Sequence, residues 1–153
     1  MLNNEVYNLF ILIYLTMVKV AWLRITNNKG FDSGIAKNST VIANNDLLKS
    51  TQGTGVEVAG AGDTIVGISA CAFTADSDNF TVDKKRAIYT PTDALDEVLL
   101  SITGGTITAA DEDKFYDLGA LGVDGTTEST TTGQVRMSKF ISATQARFQI
   151  VNA

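Results

Sequence analysis

The chain contains no histidine, one cysteine, one proline and one tryptophan in 153 residues. Each shortage excludes something. Without histidine there is no Ser-His-Asp arrangement, and the commonest zinc ligand is missing. A single thiol cannot close an intrachain disulfide. That fits folding in a reducing cytoplasm, although many exported bacterial proteins also lack disulfides. The thiol, Cys71, lies in the apolar run Thr64–Phe73 and reads as a buried small hydrophobe rather than a nucleophile. One proline beside thirteen glycines fits many turns and few rigid breaks. Cations are also scarce: 12 Lys and Arg stand against 17 Asp and Glu, a net charge of −5. That balance counts against sequence-independent nucleic-acid binding, which needs clustered cations against phosphate. The one basic cluster, Lys84-Lys85-Arg86, follows Asp83 and reads as a charged turn or a subunit contact.

What is present is enough for one folded domain. Hydrophobic residues make up 44% and charged residues 19%, which excludes wholesale disorder. From Thr64 onward, β-branched and aromatic runs alternate with Gly, Asp and Thr turns. The strand-length runs are Thr64–Phe73, Arg86–Thr90, Asp96–Ile102, Val135–Ile141 and Arg147–Val151. In the last, Phe148 and Ile150 face the core while Arg147 and Gln149 face solvent. The expected fold is mainly β: a small sandwich or barrel-like domain with one short helix and an extended N-terminal arm. The helix is placed in Thr108–Tyr116, with Thr108 as N-cap and Asp111, Glu112 and Asp113 in the first turns, where the helix dipole favours them. Thr126–Gly133 reads as a polar loop. No repeat period is visible.

Three segments follow from this reading. Residues 51–153 form the β-domain. Residues 17–50 combine a polar arm with the first short strands, at Trp22–Ile25, Thr40–Ala43 and Leu47–Ser50. The Gly-rich stretch 31–62 is either a loop-rich part of the sandwich or an arm that orders on a neighbour. Residues 1–16 are an apolar extension with three readings. Met17-Val18-Lys19 resembles a translation start, which would make them an upstream artefact. Otherwise Val6–Val18 forms a helix docked on a partner, or a membrane anchor. The anchor reading is the weaker, because about 20 apolar residues are needed to span a bilayer and Lys19 interrupts the run.

Motifs with chemistry were weighed in turn. Gly60-Ala61-Gly62 lacks the third glycine of a dinucleotide fingerprint and leads into a strand. Asp76-Ser77-Asp78-Asn79 begins like an EF-hand loop, but Thr81 stands where the loop glycine belongs and Ala87 where the final Glu belongs. A turn is the default there, with weak Ca²⁺ binding near Asp76 and Asp78 as the alternative. Asp111, Glu112 and Asp113, and Asp93, Asp96 and Glu97, offer carboxylates for acid/base work, and solvated turn positions explain them as well. Asn38-Ser39-Thr40 and Asn79-Phe80-Thr81 match the glycosylation sequon and read as surface turns. No catalytic residue, cofactor or metal ligand is expected.

The phrases Gly67–Ala70, Ala75–Pro91, Gly105–Thr108, Lys114–Leu118, Val123–Gly125, Gly133–Ser142 and Phe148–Asn152 stand in an order that resembles capsid decoration or head-stabilisation proteins of tailed bacteriophages. The likeness covers roughly residues 35 to 153. It implies a β-domain on the outer face of a capsid in the virion, often trimeric, made in the host cytoplasm, bridging subunits of the major capsid protein. Under that resemblance Trp22, Ile25, Lys84, Lys85 and Arg86 are the candidate capsid or subunit contacts, and neither nucleic acid nor membrane is a partner. The alternative is a secreted or surface-anchored pilin- or adhesin-like protein using residues 6–23 as an anchor helix.

Overall fold

The computed structural model describes residues 20–24, 30–119 and 122–151. The chain is mainly β, as its residue pattern predicts. Residues 1–19 and Ile25 lie outside the described residues, so the three readings of the N-terminal extension are not addressed.

A first barrel is built from β2 (Asp32–Ile35), β4 (Leu47–Thr51), β5 (Gly55–Val58), β6 (Gly67–Ser69) and β8 (Arg86–Pro91). They pair in the order β2-β8-β6-β4-β5, and a parallel bridge between Ala36 and Val56 brings the two ends together. The short ribbon of β3 (Val41–Ile42) and β7 (Phe73–Thr74) covers its core. A second barrel is built from β9 (Glu97–Gly104), β10 (Phe115–Leu118), β11 (Val123–Ser129), β12 (Val135–Ser142) and β13 (Gln145–Ile150). Its order is β9-β11-β10-β12-β13, and β13 pairs back on β9 to close it. A further strand, β1 (Val20–Arg24), lies antiparallel on β9 outside the closed ring.

The two barrels are copies of one topology. Matching β2, β4, β5, β6 and β8 to β9, β10, β11, β12 and β13 reproduces the strand order and every pairing direction. It also reproduces the register. Leu47 and Leu48 pair with Ile68 and Gly67 as Phe115 and Tyr116 pair with Arg136 and Val135. Tyr89 lies between Ser69 and Asp32 as Phe148 lies between Met137 and Val98. The parallel contact Ala36–Val56 matches Ile102–Val123. Even the unusual backbone positions coincide. Asn45 (φ 66°) and Asp113 (φ 70°) both precede the second strand of their copy. The Asn45 N–H donates to the Ser69 carbonyl, and the Asp113 N–H to the Met137 carbonyl. The longer excursion 70–85 stands where the second copy has the tight turn between β12 and β13.

Packing follows from alternation. Tyr89, Ala87, Leu48 and Val56 fill the first core, while Tyr116, Phe148, Met137 and Leu100 fill the second. The Tyr116 and Phe148 rings meet edge-on, 6.0 Å apart at 86°, a favoured aromatic geometry. Leu47, Ala59, Ile65 and Ile68 of the first copy belong to the second core cluster, so apolar surface joins the copies. Gln134 adds a polar joint. Its side chain is 1% exposed. Its Nε2 donates to the carbonyls of Gly60 (2.8 Å) and Asp63 (2.6 Å), and its Oε1 accepts from the N–H groups of Gly62 (3.0 Å) and Leu118 (2.9 Å). The amide's donors and acceptor are thereby matched, as burial requires.

Several expectations are corrected. The run Thr64–Phe73 is not one strand. Gly67–Ser69 pairs, then the Ser69 hydroxyl donates to the Cys71 carbonyl and the chain bends. That bend places Cys71 at the surface, so it is not a buried hydrophobe. The short helix, expected as one to two turns within Thr108–Tyr116, is a single turn of 3-10 type, Ala109–Asp111. The extended backbone of Glu112 ends it, and positive φ at Asp113 turns the chain so that Phe115–Leu118 joins the sheet. Ser129 ends a strand that begins at Val123, so the first half of the loop expected over Thr126–Gly133 is strand; its threonines suit a half-exposed sheet. Residues 32–51 build the first barrel, so the segment boundary at 51 falls at the end of β4 and Phe31–Gly62 is not an arm. Val20–Leu23 is part of a strand, so these four residues are not helix, and the rest of the 6–23 anchor reading lies outside the described residues. Asn79 is fully buried rather than a surface turn residue.

Candidate interaction surface

The carboxylates come first, because acid/base chemistry would need them converging. Four of them close turns instead. Asp46, Asp63, Asp96 and Asp111 each accept the N–H three residues earlier, from Ala43, Gly60, Asp93 and Thr108, at 2.7–2.9 Å. Each Asp N–H in turn donates to that same residue's carbonyl. The aspartate thus does for a turn what the N3 acid of a capping box does for a helix, reaching back to the first N–H. Asp111 also accepts from the Thr108 hydroxyl and sits 2.7 Å from the Lys114 ammonium. Those partners, Lys114 first, hold its carboxyl down at about 2. Burial pushes Asp63 up, but the Gly60 N–H and the Lys49 ammonium outweigh it, and the net shift is downward. Of the two candidate sets, Asp96 is tied to the Asp93 N–H and Asp111 to Thr108 and Lys114. Glu112 caps the Phe140 N–H.

The basic cluster is spent locally. Lys84 donates to the Phe80 carbonyl and lies 5.3 Å over the Phe80 ring. Lys85 pairs with Asp76, with Asp83 at 3.8 Å. The hydrogen bond from Lys85 is the main cause lowering the Asp76 carboxyl, and Asp76 in turn raises Lys85. Arg86 donates to the Ser33 hydroxyl (2.9 Å) and to the Ser33 carbonyl (2.6 Å). The loop carrying Lys84 and Lys85 is pinned by Asn79, whose Nδ2 donates to Ala36 and Lys85 carbonyls and whose Oδ1 accepts the Lys85 N–H. Among the described residues no group of three or more acidic or thiol side chains is arranged to hold a metal; the Asp76 carboxylate pairs with Lys85, and the Asp78 carbonyl accepts the Thr81 and Val82 N–H groups.

Two regions of the outer sheet faces stand out among the described residues. On the outer face of the first barrel, Phe31 is 74% exposed and Ile88 44% exposed. Ile88 lies opposite Ser33, and Phe31 precedes the Asp32–Tyr89 pair. The two apolar side chains therefore share a face, diagonally placed, with Arg86 beside them. On the outer face of the second barrel, Lys139 and Arg147 stand directly opposite each other and are both exposed. Like charges in that position repel. The fold tolerates the pair rather than gaining from it.

Of the five sequence-predicted contacts, Arg86 lies on the Phe31–Ile88 face, while Lys84 and Lys85 lie in the loop before β8, against Phe80 and Asp76. The Trp22 backbone lies on β1 opposite Val98, on the other barrel. Ile25 is outside the described residues. Phe31, Ile88 and Lys139 were missed. Their signal was an apolar or cationic residue at an outward position of an alternating run, which becomes legible only once inward and outward are assigned. No protein-family model matches the chain, and no curated protein matches it significantly.

Proposed function

We propose that this chain is a virion structural protein that binds the outside of a tailed-phage capsid and stabilises the shell by bridging capsid subunits. It acts through surfaces and not as an enzyme. The observation that carries the reading is the use made of its polar groups. The turn aspartates, Gln134 and Asn79 are committed to holding the fold, while apolar and cationic side chains stand unburied on the outer faces. A rigid body with sticky outer faces suits a load-bearing clamp. The order of strand phrases that resembles capsid decoration proteins supports the same reading, as does a net charge of −5 on a part kept away from packaged DNA. In this role the candidate partner is the major capsid protein, and the chain works as a homotrimer.

The test is co-sedimentation of the purified chain with capsids of the phage that encodes it, emptied of DNA. Saturable binding, with a raised temperature of capsid disruption, is expected. Absence of binding, or binding that leaves capsid stability unchanged, overturns the proposal.

A further inference from the structure

The internal duplication exposes a difference between otherwise equivalent edges. In the second barrel, the outer edge of β9 at Glu97–Leu100 is occupied by β1, with Leu99 opposite Ala21. The equivalent stretch of the first barrel is Phe31–Gly34, and Ser33 corresponds to Leu99. Among the described residues no strand pairs there; β2 meets β5 only beyond its end, at Ala36. The backbone groups of Ser33 point to that open edge, since the Ala36 N–H points the other way, to Lys85. Side chains hold them instead. The Asp32 carboxylate accepts the Ser33 N–H at 2.6 Å, and the Arg86 guanidinium donates to the Ser33 carbonyl. One position in the fold is thus filled by a strand in one copy and by two exposed, displaceable side chains in the other.

A second open edge exists on the same chain. Among the described residues β1 pairs only with β9. By alternation its Val20 and Trp22 backbone groups face away from β9, because Ala21 faces Leu99.

We propose that the β2 edge at Phe31–Gly34 takes the free edge of β1 from a second copy of this chain, making one continuous sheet across two molecules. The occupant is a second copy because β1 is the strand that the fold already seats at this position. The contact joins different surfaces of the two partners, so it is heterologous and repeats into a ring or an open chain. Asp32 and Arg86 are displaced when the strand arrives, each giving up a bond that the incoming backbone replaces. Phe31 and Ile88 supply apolar area beside the new pair. Backbone pairing of this kind gives affinity without a side-chain code.

The test needs no capsid, so its failure is separable from failure of the capsid reading. Ser33→Pro removes the outward N–H while leaving the β2–β8 ladder intact, since proline is tolerated where the N–H faces away from its neighbour. Sedimentation velocity of the full chain should show concentration-dependent assembly, and S33P should raise the dissociation constant about tenfold or more with its β circular-dichroism spectrum retained. A wild-type chain that stays monomeric, or an S33P chain that assembles equally well, overturns the proposal. A second arm decides if S33P fails to fold. Two single-cysteine proteins, Trp22→Cys and Ser33→Cys, each also carrying Cys71→Ser, are mixed under copper–phenanthroline. A disulfide-linked heterodimer, in excess of either homodimer, is expected; equal yields of all three dimers contradict the pairing.

Discussion

Gln134 offers the sharpest energetic test of how the two barrels are joined. Val66 occupies the equivalent place in the first copy: its N–H donates to Leu48 as the Gln134 N–H donates to Tyr116. Gln134→Val therefore restores what the first barrel has and removes only the side-chain joint. Four backbone groups lose a bond: the carbonyls of Gly60, which keeps the Asp63 N–H, and Asp63, and the N–H groups of Gly62 and Leu118. The bond at Leu118 is buried, so its orphaned N–H costs about 1–3 kcal/mol. The other three sit in the turn 60–63, where water reaches, and each costs about 0.5 kcal/mol. The expected loss is about 3 kcal/mol. For a chain of 153 residues that is a drop in Tm of about 10 °C. Urea unfolding followed by circular dichroism gives the free energy, and hydrogen exchange gives the location. Protection should fall at Leu118 and Gly62 and hold at Tyr89. A loss below about 1 kcal/mol, or unchanged protection at Leu118, would refute the joint.

Other outcomes follow from single residues. Cys71 is exposed, so a thiol reagent should titrate one thiol per chain in the native protein as fast as in urea; slow reaction would restore the buried reading. Tyr116 is fully buried, and its hydroxyl has no hydrogen-bond partner among the described residues. Tyr116→Phe should leave Tm unchanged or raise it, by about 1 kcal/mol of stability at most, and a marked fall would show an unseen partner. Gly67 has no room for a side chain: an added Cβ would meet the Tyr89 ring at 2.3 Å and the Thr90 carbonyl at 2.7 Å. Gly67→Ala should cost at least about 2 kcal/mol in urea unfolding; a neutral result would disprove the close approach. Asp111 has a folded pKa lowered to about 2, so the stability it adds is complete above the ordinary aspartate range and is lost as pH falls from about 4 to about 2. The Tm gap between wild type and Asp111→Asn should hold from neutral pH to about 5 and close below it. A gap independent of pH would refute that assignment.

Much of the β pattern was legible because alternation marks a half-buried strand whatever its neighbours. Arg147–Val151 shows this: Phe148 and Ile150 are buried and Arg147 exposed, as their spacing predicts. The duplication was not legible. Few equivalent positions keep their residue, as Val56 and Val123 or Ala87 and Ala146 do, while Val66 faces Gln134 and Gly67 faces Val135. Topology and register are held by backbone pairing, which leaves little trace in side chains. Positive φ at Asn45 and Asp113 is one trace, since short polar residues tolerate that region. The turn aspartates were visible as residues but not as a device. Ala43–Asp46, Gly60–Asp63, Asp93–Asp96 and Thr108–Asp111 share a spacing, and only hydrogen bonds show that the spacing is one motif. Thr64–Phe73 misled because Ile65 and Ile68 are both fully buried on either side of a strand start, where continuous apolar sequence does not require continuous pairing.

The central claim, that this chain works by binding a capsid's outer face, is tested most directly by cryo-electron microscopy of purified virions of the phage that encodes it. The account predicts density for two five-stranded barrels on the exterior of the shell, seated across the junctions between capsid subunits. Virions whose outer surface carries no such density would contradict it.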